Sequence, residues 1–267
     1  MPCQLVENAA TRRSFRLGLH FSDATIQMSD KTKLIRNLTI IGVCLLLGAF
    51  GLIIKWPRHQ TTAEAPKLSA GELSALIAKA EQNDASAQTA LGSAYALGNG
   101  VKQDYRQAAT WYQRAAAQGS TVAQNALGEL SEAGQGVPQD NAQAANWYRR
   151  AAEHGLATAQ YNLAALYAVG RGVTLDNREA LKWYLQAANQ GDSLAQYNVG
   201  MRYSEGHGVA PDLAVAYQWL SLSAAQGLPD ASQALAALKS RMSSEQLSRG
   251  RELLRSFKPQ TMSAASH

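Results

Sequence analysis

The segment Gly98-Asn99-Gly100-Val101-Lys102-Gln103-Asp104 carries two close glycines and a lysine, ingredients of a loop that wraps backbone amides around a phosphate. Such a loop needs a further glycine at position 103, or a G-K-[ST] ending, and the segment has neither. No strand pattern precedes it. The sequence therefore argues against nucleotide binding. Metal chemistry fares no better. The five histidines, at 20, 59, 154, 207 and 267, never fall into H-x-x-H or H-E-x-x-H spacing. The two cysteines, Cys3 and Cys44, leave no thiol further along the chain, so no disulfide framework or cysteine-held metal can form there. An S-x-x-K signature is absent and no Ser/His/Asp set stands out. No catalytic, cofactor-binding or metal-binding residue is assigned, and the chain is not read as an enzyme.

The same glycine pair returns every 36 residues, at Gly134/Gly136, Gly170/Gly172 and Gly206/Gly208, each time followed by Val. Trp111, Trp147, Trp183 and Trp219 keep that interval, as do Gly119, Gly155, Gly191 and Gly227. Asp104, Asp140, Asp176 and Asp212 follow in the same phase. Unrelated motifs do not share one phase four times, so the chain is a repeat array. The elements that place the glycines are helices. In the first helix of a unit, Ala87, Leu91 and Tyr95 fall on one face at i, i+4 and i+8. A small residue at 92, 128, 164, 200 and 236 sits beside that stripe and lets a partner helix approach. The glycine pair then ends the helix, because glycine readily takes the left-handed conformation of a C-cap.

Asp104 is the natural N-cap of the second helix, where its carboxylate accepts amide hydrogen bonds and meets the positive helix end. Gln107, Gln143 and Glu179 stand three residues after their aspartates, a capping-box spacing. Ala108, Tyr112 and Ala115 line the buried face, with Trp111 adjoining, and Gly119 closes the helix. The ends of the array are modified as terminal repeats should be. Residues 69–82 replace a second helix, opening with a Ser69…Glu72 capping box and ending in Asn83 where other units have glycine. Residues 228–258 supply a fifth first helix and a closing amphipathic helix capped by Ser243 and Gln246. Leu247, Leu254 and Phe257 of that closing helix can cover the last core.

Residues 37–54 contain no charge, and as a helix they span roughly 27 Å, close to a hydrocarbon core. Lys31, Lys33 and Arg36 precede them, and Lys55, Trp56 and Arg58 follow. The segment reads as an uncleaved single-pass anchor, with the basic bias placing the N-terminus in the cytoplasm. The expected layout is a disordered cytoplasmic tail 1–36, a transmembrane helix 37–54, a linker 55–67, the array 68–258 and a disordered tail 259–267. Full repeats span 84–119, 120–155, 156–191 and 192–227. Translation from Met1 and from Met28 both fit this layout. The formal charge of +5 is divided: residues 1–66 carry +4, residues 67–238 carry −3 and residues 239–258 carry +4. A nucleic-acid-tracking stripe along the array is thereby disfavoured.

The order Ala87-Gln88, Leu91-Gly92, Tyr95, Gly98-Asn99-Gly100-Val101, Asp104, Ala108, Trp111-Tyr112, Ala115-Ala116, Gly119 resembles the Sel-1-like repeat family, a relative of tetratricopeptide repeats. Departures are Ser131 for Tyr, Ala164 for Gly, Val199 for Leu, Leu220 for Tyr and Ser223 for Ala. The resemblance implies an all-α, right-handed superhelical solenoid of helix-turn-helix repeats, here preceded by a transmembrane helix, with a concave surface that binds protein or peptide partners. On the face turned away from Leu91 and its equivalents stand Asn125 and Glu129, Tyr161 and Asn162, and Tyr197, Asn198, Met201 and Glu205; these are the candidate protein-binding residues. Arg249, Arg251 and Arg255 form a solvated basic face open to anionic lipid or an acidic partner. The favoured function is a membrane-anchored interaction scaffold of the bacterial envelope, its repeat domain periplasmic beyond the inner membrane. An envelope enzyme of the β-lactam-binding or cell-wall-acting type, the former as in a cysteine-rich subgroup of the family, and a self-associating structural or assembly protein stay open as alternatives; the paired cysteines of that subgroup are missing here.

Overall fold

The computed structural model describes residues 67–259. The expected tail 1–36, the anchor 37–54, the linker up to residue 66 and the tail from residue 260 lie outside the described residues. Among the described residues there are eleven helices and no strand, and no helix is long and apolar enough to cross a membrane. The chain is an all-helical repeat solenoid.

A single helix, α1 (Ala70–Glu81), precedes four helix pairs. These are α2 (Ala85–Leu97) with α3 (Tyr105–Ala117), and α4 (Thr121–Ala133) with α5 (Asn141–Glu153). Then come α6 (Ala157–Val169) with α7 (Asn177–Asn189), and α8 (Ser193–Glu205) with α9 (Leu213–Ala225). Helices α10 (Pro229–Lys239) and α11 (Ser244–Ser256) end the array. The two helices of a pair pack on each other, and the second packs again on the first helix of the next pair. Intimate pairing requires small residues. A Cβ added at Gly92 would lie 2.7 Å from the Tyr112 ring, and one at Gly200 2.6 Å from Leu220 Cγ. Trp111 packs on the core formed by α1 and α2, and Trp147 on that of α3 and α4. The tryptophans therefore seal the layer behind them.

Each first helix ends in a left-handed glycine, Gly98, Gly134, Gly170 or Gly206. The second glycine of each turn is also left-handed but has another task. A Cβ on Gly136 would strike the backbone of Tyr105, one on Gly172 that of Asn141, and one on Gly208 that of Asn177. These three turns thus rest backbone on backbone upon the start of the preceding unit's second helix, and Gly100 of the first turn lies instead against Leu68, just before α1. The aspartates cap as expected: Asp104, Asp140, Asp176 and Asp212 each accept two amide N–H groups of the first turn. No reciprocal capping box forms at these helices, contrary to the spacing of Gln107, Gln143 and Glu179. The backbone N–H groups of Asp104, Asp140 and Asp176 donate instead to the carbonyls of Tyr95, Ser131 and Tyr167 on the preceding helix, and Gln143 accepts from the Ser131 hydroxyl at 3.1 Å. Reciprocal boxes do form at Ser69 and Ser243, and Asn83 is left-handed as expected.

A buried glutamine in each first helix links the layers. Gln88, Gln124, Gln160 and Gln196 donate to the carbonyls of Ala80, Ala116, Ala152 and Ala188, in the last turn of the preceding helix. Their own side-chain oxygens accept from Gln118, Gln190 and Gln226 in three units, each at 2.8 Å. In the second unit the equivalent residue is His154, and Gln124 Oε1 is buried without a partner.

The closing region departs from the frame. Helix α11 folds onto α9 rather than pairing with α10, with Gly250 against the Tyr217 ring. Ala236, expected beside a packed stripe, is consequently exposed because no second helix covers it. Leu247 and Leu254 pack on the last core, and Phe257 meets Trp219 edge-on at 5.2 Å between centroids.

Two stability predictions follow from this packing. Gly191→Ala, where open space surrounds the site, costs about 1–2 kcal/mol of left-handed strain, whereas Gly172→Ala adds a backbone collision and costs at least about twice as much. His154→Gln, at a helix end whose backbone angles match those of Gln190 and Gln226, gives Gln124 its missing donor and stabilises by about 1 kcal/mol. Urea unfolding of the three variants beside the parent measures both effects.

Candidate functional site

The first helices α2, α4, α6 and α8 bury one side against their partners and turn a stripe of i, i+3, i+4, i+7 positions outward. On α4 the stripe runs from Val122 through Asn125 and Glu129; on α6 from Thr158 through Tyr161 and Asn162 to Val169; on α8 it includes Tyr197, Asn198, Met201 and Glu205. All eight candidate residues are on this face. Of these, Glu129 and Glu205 are exposed and the other six are half-buried.

Hydrogen bonds join neighbouring stripes. Asn162 donates to Asn125 Oδ1 at 3.1 Å, and Asn125 donates to Glu129 at 3.1 Å, giving one chain of polar contacts across two units. The Thr89 and Ser120 hydroxyls meet at 2.9 Å between the first two units. Tyr161 has the Asn198 side chain beside it and lies 5.5 Å from the Tyr184 ring, tilted by 60°. Asn198 donates to its own helix at the Leu194 carbonyl. Tyr197 and Met201 pack on the last core, so part of the candidate patch is structural. Glu205 faces His207 at 3.2 Å.

Burial sets the titration of the tyrosines. Tyr161 is pushed up to about 12, first by burial and then by the charge of Asp192. Tyr184 is raised mainly by burial, and Tyr197 by burial with Asp230 and Glu205 adding to it. These phenols stay neutral at physiological pH; Tyr161 and Tyr197 offer half-buried rings to the surface, whereas Tyr184 lies in the core. A residue the sequence reading passed over is Arg202, buried to 8% exposure where the other units have Ala94, Leu130 and Leu166. Its guanidinium donates to Asn177 Oδ1 at 3.1 Å and sits 5.3 Å from the Tyr184 ring centre, tying the fourth unit to the third. Only its position in the 36-residue frame, charged where the others are aliphatic, signalled it. Of the basic closing face, Arg251 and Arg255 are exposed, but Arg249 is held 3.0 Å from Asp212, the cap of α9. Among the described residues no group of three or more His, Cys, Asp or Glu stands close enough to hold a metal ion.

Four consecutive stretches, 85–120, 121–156, 157–192 and 193–228, match the Sel1 repeat family model. Among solved structures, the chain is 44% identical to c5321, a protective antigen present in uropathogenic Escherichia coli strains displaying an SLR fold, with a TM-score of 0.62. That match covers 63% of this chain and 36% of the other, so the chain spans little more than a third of that protein's length. It is 35% identical to a Sel1 repeat protein from Oxalobacter formigenes over 62% of this chain and 69% of that one, with a TM-score of 0.59. No curated protein matches the chain.

The tyrosine environment predicts an alkaline stability change. The unfolded chain releases the Tyr161 proton near pH 10, the folded chain only near 12, so stability is unaffected below about pH 10 and falls as pH rises between the two. Tyr161→Phe makes that fall shallower, measured by thermal unfolding at stepped pH.

Proposed function

The chain belongs to the Sel1 repeat family, a scaffold type for protein–protein interaction, and from that premise we propose that it is a membrane-anchored adaptor of the bacterial cell envelope. The repeat domain is held on a short leash and presents the first-helix face to a partner protein. The observation that carries the reading is that face itself. Among the described residues it keeps exposed or half-buried positions on α4, α6 and α8, while hydrogen bonds from Asn162 and Thr89 tie neighbouring units together. A surface fixed before binding loses little conformational entropy when a partner docks. The anchor rests on the uncharged run 37–54 with its basic flanks, and the periplasmic placement on the bias of those flanks. Residual basic contact through Arg251 and Arg255 would add weakly to membrane or partner association.

Membrane fractionation and proximity labelling test the reading together. The full chain is expected in the inner-membrane fraction, resistant to alkaline carbonate, and released when residues 37–54 are deleted. A labelling enzyme fused after His267 is expected to mark periplasmic proteins. Marking of cytosolic proteins instead overturns the orientation, and carbonate extraction of the full chain overturns the anchor.

A further inference from the structure

Charge on the array is sorted by helix. The bases of the four helix pairs stand on second helices, at Arg106, Arg114, Arg149, Arg150, Arg178 and Lys182, with the single exception of Arg202. Arg202 is buried, so no first helix of a pair shows a base to solvent. Those helices carry Glu129, Glu132 and Glu205 instead. Glu132, held 2.9 Å from Arg171, is half-buried, whereas Glu129, which accepts from Asn125, and Glu205, 3.2 Å from His207, are the exposed carboxylates of the outward stripes. Apolar exposure follows the same sorting. Leu97, Val122 and Val169, each more than half exposed, lie on α2, α4 and α6, and Leu175 stands in the turn just after α6.

We propose that the first-helix face docks a partner-protein segment in which lysine or arginine alternates with aliphatic residues. The proposal rests on the scaffold reading and names the chemistry of its partner. Aliphatic side chains of such a segment would cover Val122 and Val169 and remove apolar surface from water. Its bases would meet Glu129, and would meet Glu205 in place of the His207 contact, and its cations could lie over the rings of Tyr161 and Tyr197. An acidic segment finds no exposed lysine or arginine on the first helices themselves, where Arg171 beside them is already paired with Glu132, and a purely polar one leaves the aliphatic groups exposed. The amide ties beneath the surface keep the stripes at fixed spacing, which favours a defined register over loose electrostatic contact.

The test uses the full chain in nanodiscs of uncharged lipid, a synthetic Leu/Lys peptide and a Leu/Glu peptide of equal length, with empty nanodiscs as the blank. The Leu/Lys peptide binds and the Leu/Glu peptide does not. Glu129→Lys with Glu205→Lys weakens binding about tenfold or more, equivalent to about 1.4 kcal/mol, while Glu81→Lys with Glu153→Lys, of equal charge change but on α1 and α5, leaves it nearly intact. Val122→Ser with Val169→Ser weakens it without changing charge. Equal loss in both charge-reversed pairs, no loss in the serine pair, binding of the Leu/Glu peptide, or no binding at all overturns the proposal. In cells, a photo-crosslinking residue at Thr158 on this face is compared with one at Gln113 on a second helix. Capture at Thr158 of a protein with such a basic–aliphatic segment supports the proposal. Capture only at Gln113 defeats this surface while leaving the scaffold reading intact. Capture at neither defeats both, and capture of a second copy of this chain at Thr158 overturns the choice of partner.

Discussion

Stacking in this array depends on one contact that tolerates no side chain. In the second, third and fourth units the second glycine of the turn lies against the peptide backbone at the start of the previous unit's second helix, as Gly172 lies on Asn141 and Gly208 on Asn177. Backbone cannot shift aside as a flexible side chain can, so this contact fixes the separation of successive units. The first glycine of the pair only reverses the chain. The second sets the spacing from which everything else in the repeat follows, including the depth at which tryptophan seals the layer behind it.

With that spacing set, polar groups at helix ends come within reach of the next unit. The buried glutamines donate a second hydrogen bond to carbonyls of the last helical turn that already accept one backbone amide, and the glutamines at 118, 190 and 226 in turn donate to the oxygens of Gln88, Gln160 and Gln196. The second unit breaks the pattern twice. His154 leaves Gln124 Oε1 without a donor, and Asn141 Oδ1 is likewise buried and unpartnered where Asn177 has Arg202. Burying an unpaired acceptor costs stability, so this unit is held less firmly than its neighbours. In the fourth unit Arg202 spans the junction that an aliphatic residue occupies elsewhere.

The same geometry divides the surface. Second helices carry the bases, some resting over tryptophan rings, as Arg114 does over Trp111 at 4.6 Å and Arg150 over Trp147 at 4.8 Å. First helices keep carboxylates, amides, tyrosines and a few uncovered aliphatic groups. A rigid frame thus displays two chemically different sides, and the side tied together by amides is the one suited to hold a partner in register.

Much of the fold was legible in the residues alone. The 36-residue phase, the glycine turns, the aspartate caps and the capping boxes at Ser69 and Ser243 are set by backbone hydrogen bonding within a few residues, so local sequence encodes them. The outward placement of Asn125, Tyr161, Tyr197 and their neighbours followed from helical periodicity in the same way. What those side chains do was decided by contacts about 36 residues apart. The Asn162–Asn125 tie, the packing of Tyr197 and Met201 on the last core, the burial of Arg202, the capture of Arg249 by Asp212 and the return of α11 onto α9 all require knowing how closely one unit sits on another. That distance is a property of packed backbone, which no single stretch of the chain contains.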